Sequence, residues 1–116
     1  MKSILGLVVL SAALSGCAIM IDTQNRVPGW PELKVVEHHV TRDEMLAQCQ
    51  PWFRSGVPEG CTLFHFDRNE AHIYVRNDFT ARWVLTHERL HAAGYDHFGS
   101  TAMQRALEAW KTSQVR

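Results

Sequence analysis

The chain has 116 residues, of which 12 are Lys or Arg and 12 are Asp or Glu, so its formal net charge is zero at neutral pH. This balance, without any run or stripe of basic residues, argues against a nucleic-acid partner and excludes strong electrostatic steering of a charged ligand. The length suffices for one domain with a single modest core, and the sequence contains no internal repeat or low-complexity tract. It does not indicate an oligomeric state.

The N-terminal segment has the organisation of an export signal. Lys2 provides a short positive region, and the apolar stretch 4–14 is too short to span a bilayer as a mature helix. The next segment, 14–17, reads Leu-Ser-Gly-Cys and resembles a bacterial lipobox. The resemblance implies that 1–16 is a lipoprotein signal peptide and that Cys17 becomes the acylated first residue. The alternative is an ordinary cleaved signal peptide with a coincidental Cys17.

Lipidation at Cys17 would attach the protein to the cell envelope. Several acyl chains on one Cys, each worth about 0.8 kcal/mol per buried methylene, would hold the chain firmly on a membrane. Ala18 stands where an Asp commonly marks inner-membrane retention, so the outer membrane is favoured. Residues 17–32 are rich in polar residues, Pro and Gly, and we interpret them as the lipidated Cys and a tether to a folded domain at 33–116.

The predicted domain begins with a strand followed by a short helix. The segment 33–40 is β-like because of its central pair of valines. Thr41 and Glu44 have the spacing of a capping box, which predicts the start of a helix. That helix is expected to end near Gln50, since Pro51 cannot continue it.

Cys49 and Cys61 remain once Cys17 is assigned to lipid. An even pair in a small exported domain is most simply a disulfide. It would close a loop rich in Pro and Gly and stabilise the fold by roughly 2–4 kcal/mol. The alternative role, metal binding, is weaker because no Cys-x-x-Cys pairing accompanies the two residues.

Two segments of alternating polarity, 61–67 and 72–76, predict a β-hairpin with a turn between them. One side of the hairpin is apolar and is expected to pack on a helix: Phe64, Phe66, Ile73 and Val75. His65, His72 and Tyr74 fall on the opposite, polar side. We expect these side chains, together with His38 and His39, to be solvated, with a supporting role near a metal site or a substrate as the alternative.

The most informative segment begins at His87 and reads HERLHAAGYDH, which has the spacing H-E-x-x-H-x-x-G-x-x-H. Residues four apart share one helix face, so His87 and His91 can direct their imidazoles at one metal ion. Glu88 lies beside the first ligand, where it can hold a water molecule at the metal. Gly94 can adopt a positive φ and turn the chain so that His97 returns as a third ligand. A fourth position would stay open, as in catalytic zinc sites.

This pattern matches the extended zinc-binding consensus of the metzincin metallopeptidases at every fixed position. The resemblance covers the segment 87–97 and implies that its three histidines bind Zn²⁺, with Glu88 as the general base of peptide hydrolysis. It also implies a Met-containing turn beneath the metal, for which Met103 is the downstream candidate. The alternative for Met103 is a helix residue that packs in the core. Some branches have a Tyr two residues after that Met, and Arg105 stands there instead.

Two further helices complete the predicted fold. The metal-binding helix is expected from about Thr80 to Ala93, and a last helix from about Thr101 to Lys111. The inner face of the last helix would consist of Met103, Ala106, Leu107 and Trp110. The order β-α-β-β-α-α predicts an α+β domain that resembles a minimal zincin, with a small mainly antiparallel sheet packed on the metal-binding helix.

The sequence therefore predicts a lipid-anchored zinc metallopeptidase of the bacterial cell envelope that acts on a peptide or protein substrate. An extended peptide could pair with an exposed strand edge near the metal. Two alternatives stay open: a non-catalytic, zinc-stabilised lipoprotein that binds a partner, and an amidase that cleaves peptidoglycan cross-links by the same metal chemistry. The small size of the domain favours the first alternative, whereas Glu88 argues against it because a structural metal site needs no general base.

Overall fold

The computed structural model describes residues 9–11, 25–49, 58–78 and 82–115. Within these ranges the strands are β1 Val9–Ser11, β2 Asn25–Arg26, β3 Lys34–Val40, β4 Gly60–His65, β5 Glu70–Arg76 and β6 Tyr95–Asp96. The helices are α1 Arg42–Cys49, α2 Arg82–Ala92 and α3 Ala102–Gln114. The predicted α+β class is confirmed, and the predicted elements occur in the predicted order with three short strands added: β1, β2 and β6. Among the described residues, none of the helices has the length and apolar character needed to cross a membrane.

The main sheet has the strand order β1-β4-β5-β3. β4 and β5 form the predicted antiparallel hairpin, which turns through a 3₁₀ segment, Phe66–Arg68, and through Asn69 with a left-handed φ of 55°. β1 is also antiparallel to β4, whereas β3 pairs with β5 in parallel. The sheet is thus mainly antiparallel, as predicted. A second, two-stranded sheet joins β2 to β6.

The main core lies on the sheet face that is covered by α2. The four residues of the predicted apolar side are at most 2% exposed and pack there with Val84 and Ala92 of α2: Phe64, Phe66, Ile73 and Val75. The helix α3 contributes Met103 and Leu107 to the same cluster. Hydrophobic burial on this face therefore fixes α2, and with it the histidine motif, against the middle of the sheet.

The opposite sheet face is partly covered by α1. The predicted capping box opens this helix, since the Thr41 N–H donates to Glu44 Oε1 at 2.8 Å and the Glu44 N–H donates to Thr41 Oγ1 at 3.2 Å. Met45 and Cys49 of this helix and Cys61 of β4 are completely buried between the helix and the sheet. The predicted disulfide between Cys49 and Cys61 is confirmed, and it ties the end of α1 to β4.

The folded unit extends N-terminal to the predicted boundary at residue 33. Asn25–Arg26 forms β2, and both Val27 and Trp30 are buried in the main core. The Trp30 indole also donates to the carbonyl oxygen of Ala92 at the end of α2, at 3.0 Å. Val27 and Trp30, within the segment interpreted from composition as a tether, therefore pack in the core, and Trp30 bonds to the end of α2.

The structure describes only part of the predicted signal peptide and tether. Cys17 and the tether residues 18–24 lie outside the described residues. Val9–Ser11, within the predicted signal peptide, pairs antiparallel with β4 and sets Leu10 opposite Thr62. The outer edge of β4 can thus accept an extended strand through main-chain hydrogen bonds.

Candidate metal centre

The helix α2 provides the first two histidines of the motif. His87 and His91 lie one turn apart on the buried side of the helix, with exposed fractions of 1% and 0%. Their Nε2 atoms are 3.0 Å apart. The i, i+4 spacing thus brings the two imidazoles together as the sequence predicts.

The chain turns at Gly94 to return the third histidine. The Gly94 N–H donates to the carbonyl of His91 at 2.9 Å, and Gly94 has a φ of 103°, in the left-handed region. A Cβ at this position would also lie 2.6 Å from Cγ of Trp30. Both its dihedral angle and its neighbour therefore require glycine. The turn places His97 Nε2 3.2 Å from Nε2 of both His87 and His91.

The three Nε2 atoms form a nearly equilateral triangle with sides of 3.0, 3.2 and 3.2 Å. Nitrogens that share a tetrahedral zinc ion at ~2.0–2.1 Å lie roughly 3.3–3.4 Å apart. The triangle therefore fits such an ion after shifts of a few tenths of an ångström. Among the described residues, these three histidines are the group of His, Cys, Asp or Glu side chains that could hold a metal.

His91 has the tautomer and the charge that a metal ligand needs. Its Nδ1 lies 2.7 Å from the Tyr95 carbonyl oxygen, which can only accept, so Nδ1 carries the proton and Nε2 presents its lone pair to the cluster. Burial, and then the charges of His87 and His97, hold the pKa of His91 well below its ordinary value. The imidazole is therefore neutral near neutral pH, and the Tyr95 carbonyl fixes its orientation.

Asp96 joins the third histidine to the last helix. This residue is completely buried; Oδ1 accepts from the His97 N–H at 2.7 Å, and Oδ2 accepts from the Met103 N–H at 3.1 Å. Met103 lies in the first turn of α3 and is completely buried, rather than in an open turn. The Asp96 carboxylate thus stabilises the turn and the N-terminus of α3, which restrains the backbone of His97.

Glu88 is completely buried between α2 and β4. Thr62 Oγ1 lies 2.7 Å from Glu88 Oε1, and Thr62 is itself completely buried. The alternation along 61–67 puts Thr62 on the same side of the strand as Phe64 and Phe66, and nothing in the sequence assigned it a role. The available signal was its hydroxyl group, which needs a partner when it is buried in an otherwise apolar row of side chains.

Several other candidate residues lie away from the metal centre. The two half-cystines are in the disulfide on the far side of the sheet. His65, His72 and Tyr74 lie on that same far face, as predicted, but they are half-buried rather than solvated. His38 joins them there: its Nε2 is 2.8 Å from His72 Nδ1, and its ring stacks on Tyr74 with centroids 4.5 Å apart. These residues form a separate polar cluster.

A cavity of about 490 Å³ lies beside α2 but contains none of the three motif histidines. Its lining comes from β2, from the segment before β3, from β3 and from the C-terminal part of α2 with the residue after it: Arg26, Trp30, Pro31, Glu32, Leu33, Val35, Arg89, Ala92 and Ala93. One of its two arginines, Arg89, is already paired with Glu37 at 2.6 Å. Size alone does not make this cavity a substrate site, because the chemically reactive groups lie elsewhere.

His97 is the least buried of the three histidines, so the centre faces solvent on its side. The arrangement can hold one metal ion by three imidazole nitrogens, with a buried carboxylate on the residue next to the first of them.

Comparison of the chain with models of protein families, with curated proteins and with solved structures gave no match.

Proposed function

We propose that the chain is a zinc metallopeptidase of the metzincin type that hydrolyses peptide bonds in the bacterial cell envelope. The observation that carries this proposal is the convergence of the three Nε2 atoms within 3.2 Å of one another. The residue after His87, Glu88, adds a completely buried carboxylate. A structural site would need a fourth protein ligand, and the described residues offer three.

Zinc is the metal that the donor set fits best. Three imidazoles, at least one of them neutral and oriented by a carbonyl, suit this borderline ion, whereas Ca²⁺ and Mg²⁺ prefer oxygen ligands. A bound zinc ion would supply Lewis-acid activation of water and of the scissile carbonyl group. His87, His91 and His97 would hold it.

Glu88 would move the protons of the reaction. As general base it would accept a proton from the attacking water, and as general acid it would pass that proton to the leaving amine. Its complete burial removes bulk water from the carboxylate, which strengthens its interactions with the reacting groups. Glu88 directly follows His87 on α2.

The outer edge of β4 is the proposed path of the substrate. The segment Val9–Ser11 pairs with this edge, and removal of residues 1–16 with a signal peptide would free it. An extended peptide could then add to the sheet at Cys61–Leu63 through main-chain hydrogen bonds. The same strand carries Thr62, which bonds to Glu88.

Lipidation would keep the enzyme close to a membrane. If Cys17 is acylated and the fold begins at Asn25, residues 18–24 would span at most roughly 25 Å. The domain would then act on substrates near the membrane surface, and the outer membrane is favoured because Ala18 follows the Cys.

Comparison of wild type with Glu88→Ala tests the proposal. The variant should stay folded and keep zinc, while cleavage of a diverse peptide library that includes peptidoglycan cross-link peptides should fall about 10²–10⁴-fold. Cleavage that requires zinc but persists in Glu88→Ala would refute the mechanism. A wild type that holds zinc but cleaves nothing would favour the non-catalytic, partner-binding module.

A further inference from the structure

We infer that Thr62 is a positioning residue for Glu88, an inference that rests on the proposed hydrolase function. Thr62 Oγ1 lies 2.7 Å from Glu88 Oε1 and 3.3 Å from the Glu88 carbonyl oxygen. The hydroxyl has a single proton, and the shorter distance is typical of a charge-assisted bond to a carboxylate. The proton therefore goes to Oε1, with the carbonyl as a weaker second acceptor.

The close approach of β4 to α2 makes this contact possible. A Cβ at Gly60 would lie 2.7 Å from Val84 Cγ1, 3.2 Å from Glu88 Cγ and 3.3 Å from Glu88 Oε2. Glycine therefore lets the strand pack directly against the Glu88 side chain. The missing side chain of Gly60 leaves room for the carboxylate, while Thr62, two residues along the same strand face, holds Oε1.

The hydrogen bond restrains a rotation of the Glu88 carboxylate that packing alone would allow. Rotation of a Glu carboxylate about its terminal bond is soft and roughly two-fold, so neither oxygen is fixed by rotamer preference. Thr62 specifies Oε1 as the held oxygen. The backbone of Thr62 is itself restrained, because Thr62 pairs with Ile73 within the sheet and both residues are completely buried. A general base whose carboxylate is held by a side chain on a neighbouring strand keeps its productive orientation between turnovers.

The test compares Thr62→Val, which keeps the shape but removes the donor, with Thr62→Ser, which keeps the donor. In the zinc-loaded full chain, Thr62→Val should lower kcat about 10- to 100-fold with KM changed less than about twofold, and Thr62→Ser should stay within about threefold of wild type. In a Glu88→Ala background, Thr62→Val should have no further effect, because Thr62 acts through Glu88.

A Thr62→Val enzyme with wild-type kcat would overturn the inference, as would equal losses in Thr62→Val and Thr62→Ser. A loss of similar size in the Glu88→Ala background would do the same, since it would show a general structural role.

Crystal structures of the zinc-loaded variants give a readout that needs no turnover. The Glu88 carboxylate should keep its orientation in Thr62→Ser and rotate or occupy two orientations in Thr62→Val. An unchanged carboxylate orientation in Thr62→Val would overturn the inference, whether or not the wild type cleaves peptides. Absence of cleavage by the wild type would instead refute only the proposed function.

Discussion

Substitution of Gly94 by Ala tests the turn that returns the third histidine. Two independent costs follow from the structure. A φ of 103° is unfavourable for a residue with a Cβ, at about 1–2 kcal/mol. The new methyl group would also lie 2.6 Å from Trp30 Cγ, well inside the contact distance of ~3.5–4.0 Å between carbon atoms. Overpacking of this kind costs about 1–3 kcal/mol.

The Trp30 ring has little freedom to move away. Its indole nitrogen bonds to the Ala92 carbonyl at 3.0 Å, and its ring packs edge-to-face on Phe64 and Phe66 with centroids 4.9 and 5.3 Å away. We therefore expect the backbone at Gly94 to yield, which would displace His97 and weaken zinc binding. The two costs together predict a loss of about 2–5 kcal/mol of unfolding free energy, less about 0.4–1 kcal/mol for the stiffer unfolded chain.

Gly99 provides a matched control. It also has a left-handed φ, of 82°, but a Cβ there would meet nothing within 4 Å. Urea unfolding of the metal-free proteins should show Gly94→Ala to be less stable than Gly99→Ala by about 1–3 kcal/mol, which is the cost of the steric contact alone. Competition with a chelator should show weakened zinc binding in Gly94→Ala only. Equal stability of the two variants would refute the steric argument.

Three further predictions concern other parts of the chain. Replacing both disulfide cysteines by Ser should lower the unfolding free energy by about 3 kcal/mol, since the closed loop has a sequence separation of 12; an unchanged urea midpoint would contradict this. Cys17→Ser should abolish acylation and lipid-dependent membrane association, and intact-mass spectrometry that finds any mature N-terminus other than an acylated Cys17 in wild type would refute the lipoprotein assignment. Burial, and then the charge of His72, lower the pKa of His38 below its ordinary value of 6.5. The unfolded chain therefore takes up a proton at His38 before the folded chain does, and the folded state loses stability as pH falls below about 6.5. His38→Asn should flatten this part of the stability profile, whereas His39→Asn, on the exposed opposite face of the same strand, should retain it.

Local patterns predicted much of this fold. The capping box at Thr41, the hairpin and the i, i+4 histidine pair each depend on residues close in sequence, so periodicity and spacing were sufficient signals. The disulfide followed from compartment and from parity of the cysteine count. The third histidine followed from the position of Gly94, because few residues other than glycine can make that turn.

Contacts between distant segments were not predictable in this way. Composition assigned Trp30 to a tether, yet it is buried, because Gly94 leaves space for its ring 64 residues later in the chain. Thr62 was likewise missed, since its bond to Glu88 spans 26 residues and depends on how β4 packs on α2. The parallel pairing of β3 with β5 is also non-local. Such pairings are decided by tertiary packing rather than by local propensity.

Zinc K-edge X-ray absorption of the full chain loaded with one equivalent of zinc tests the central claim most directly. The account predicts three imidazole nitrogens and one oxygen from solvent at ~2.0–2.1 Å, with one imidazole fewer in His97→Ala. A fourth imidazole or a sulfur ligand in the wild type would describe a closed structural site and contradict the account. An unchanged spectrum in His97→Ala would remove His97 from the metal centre.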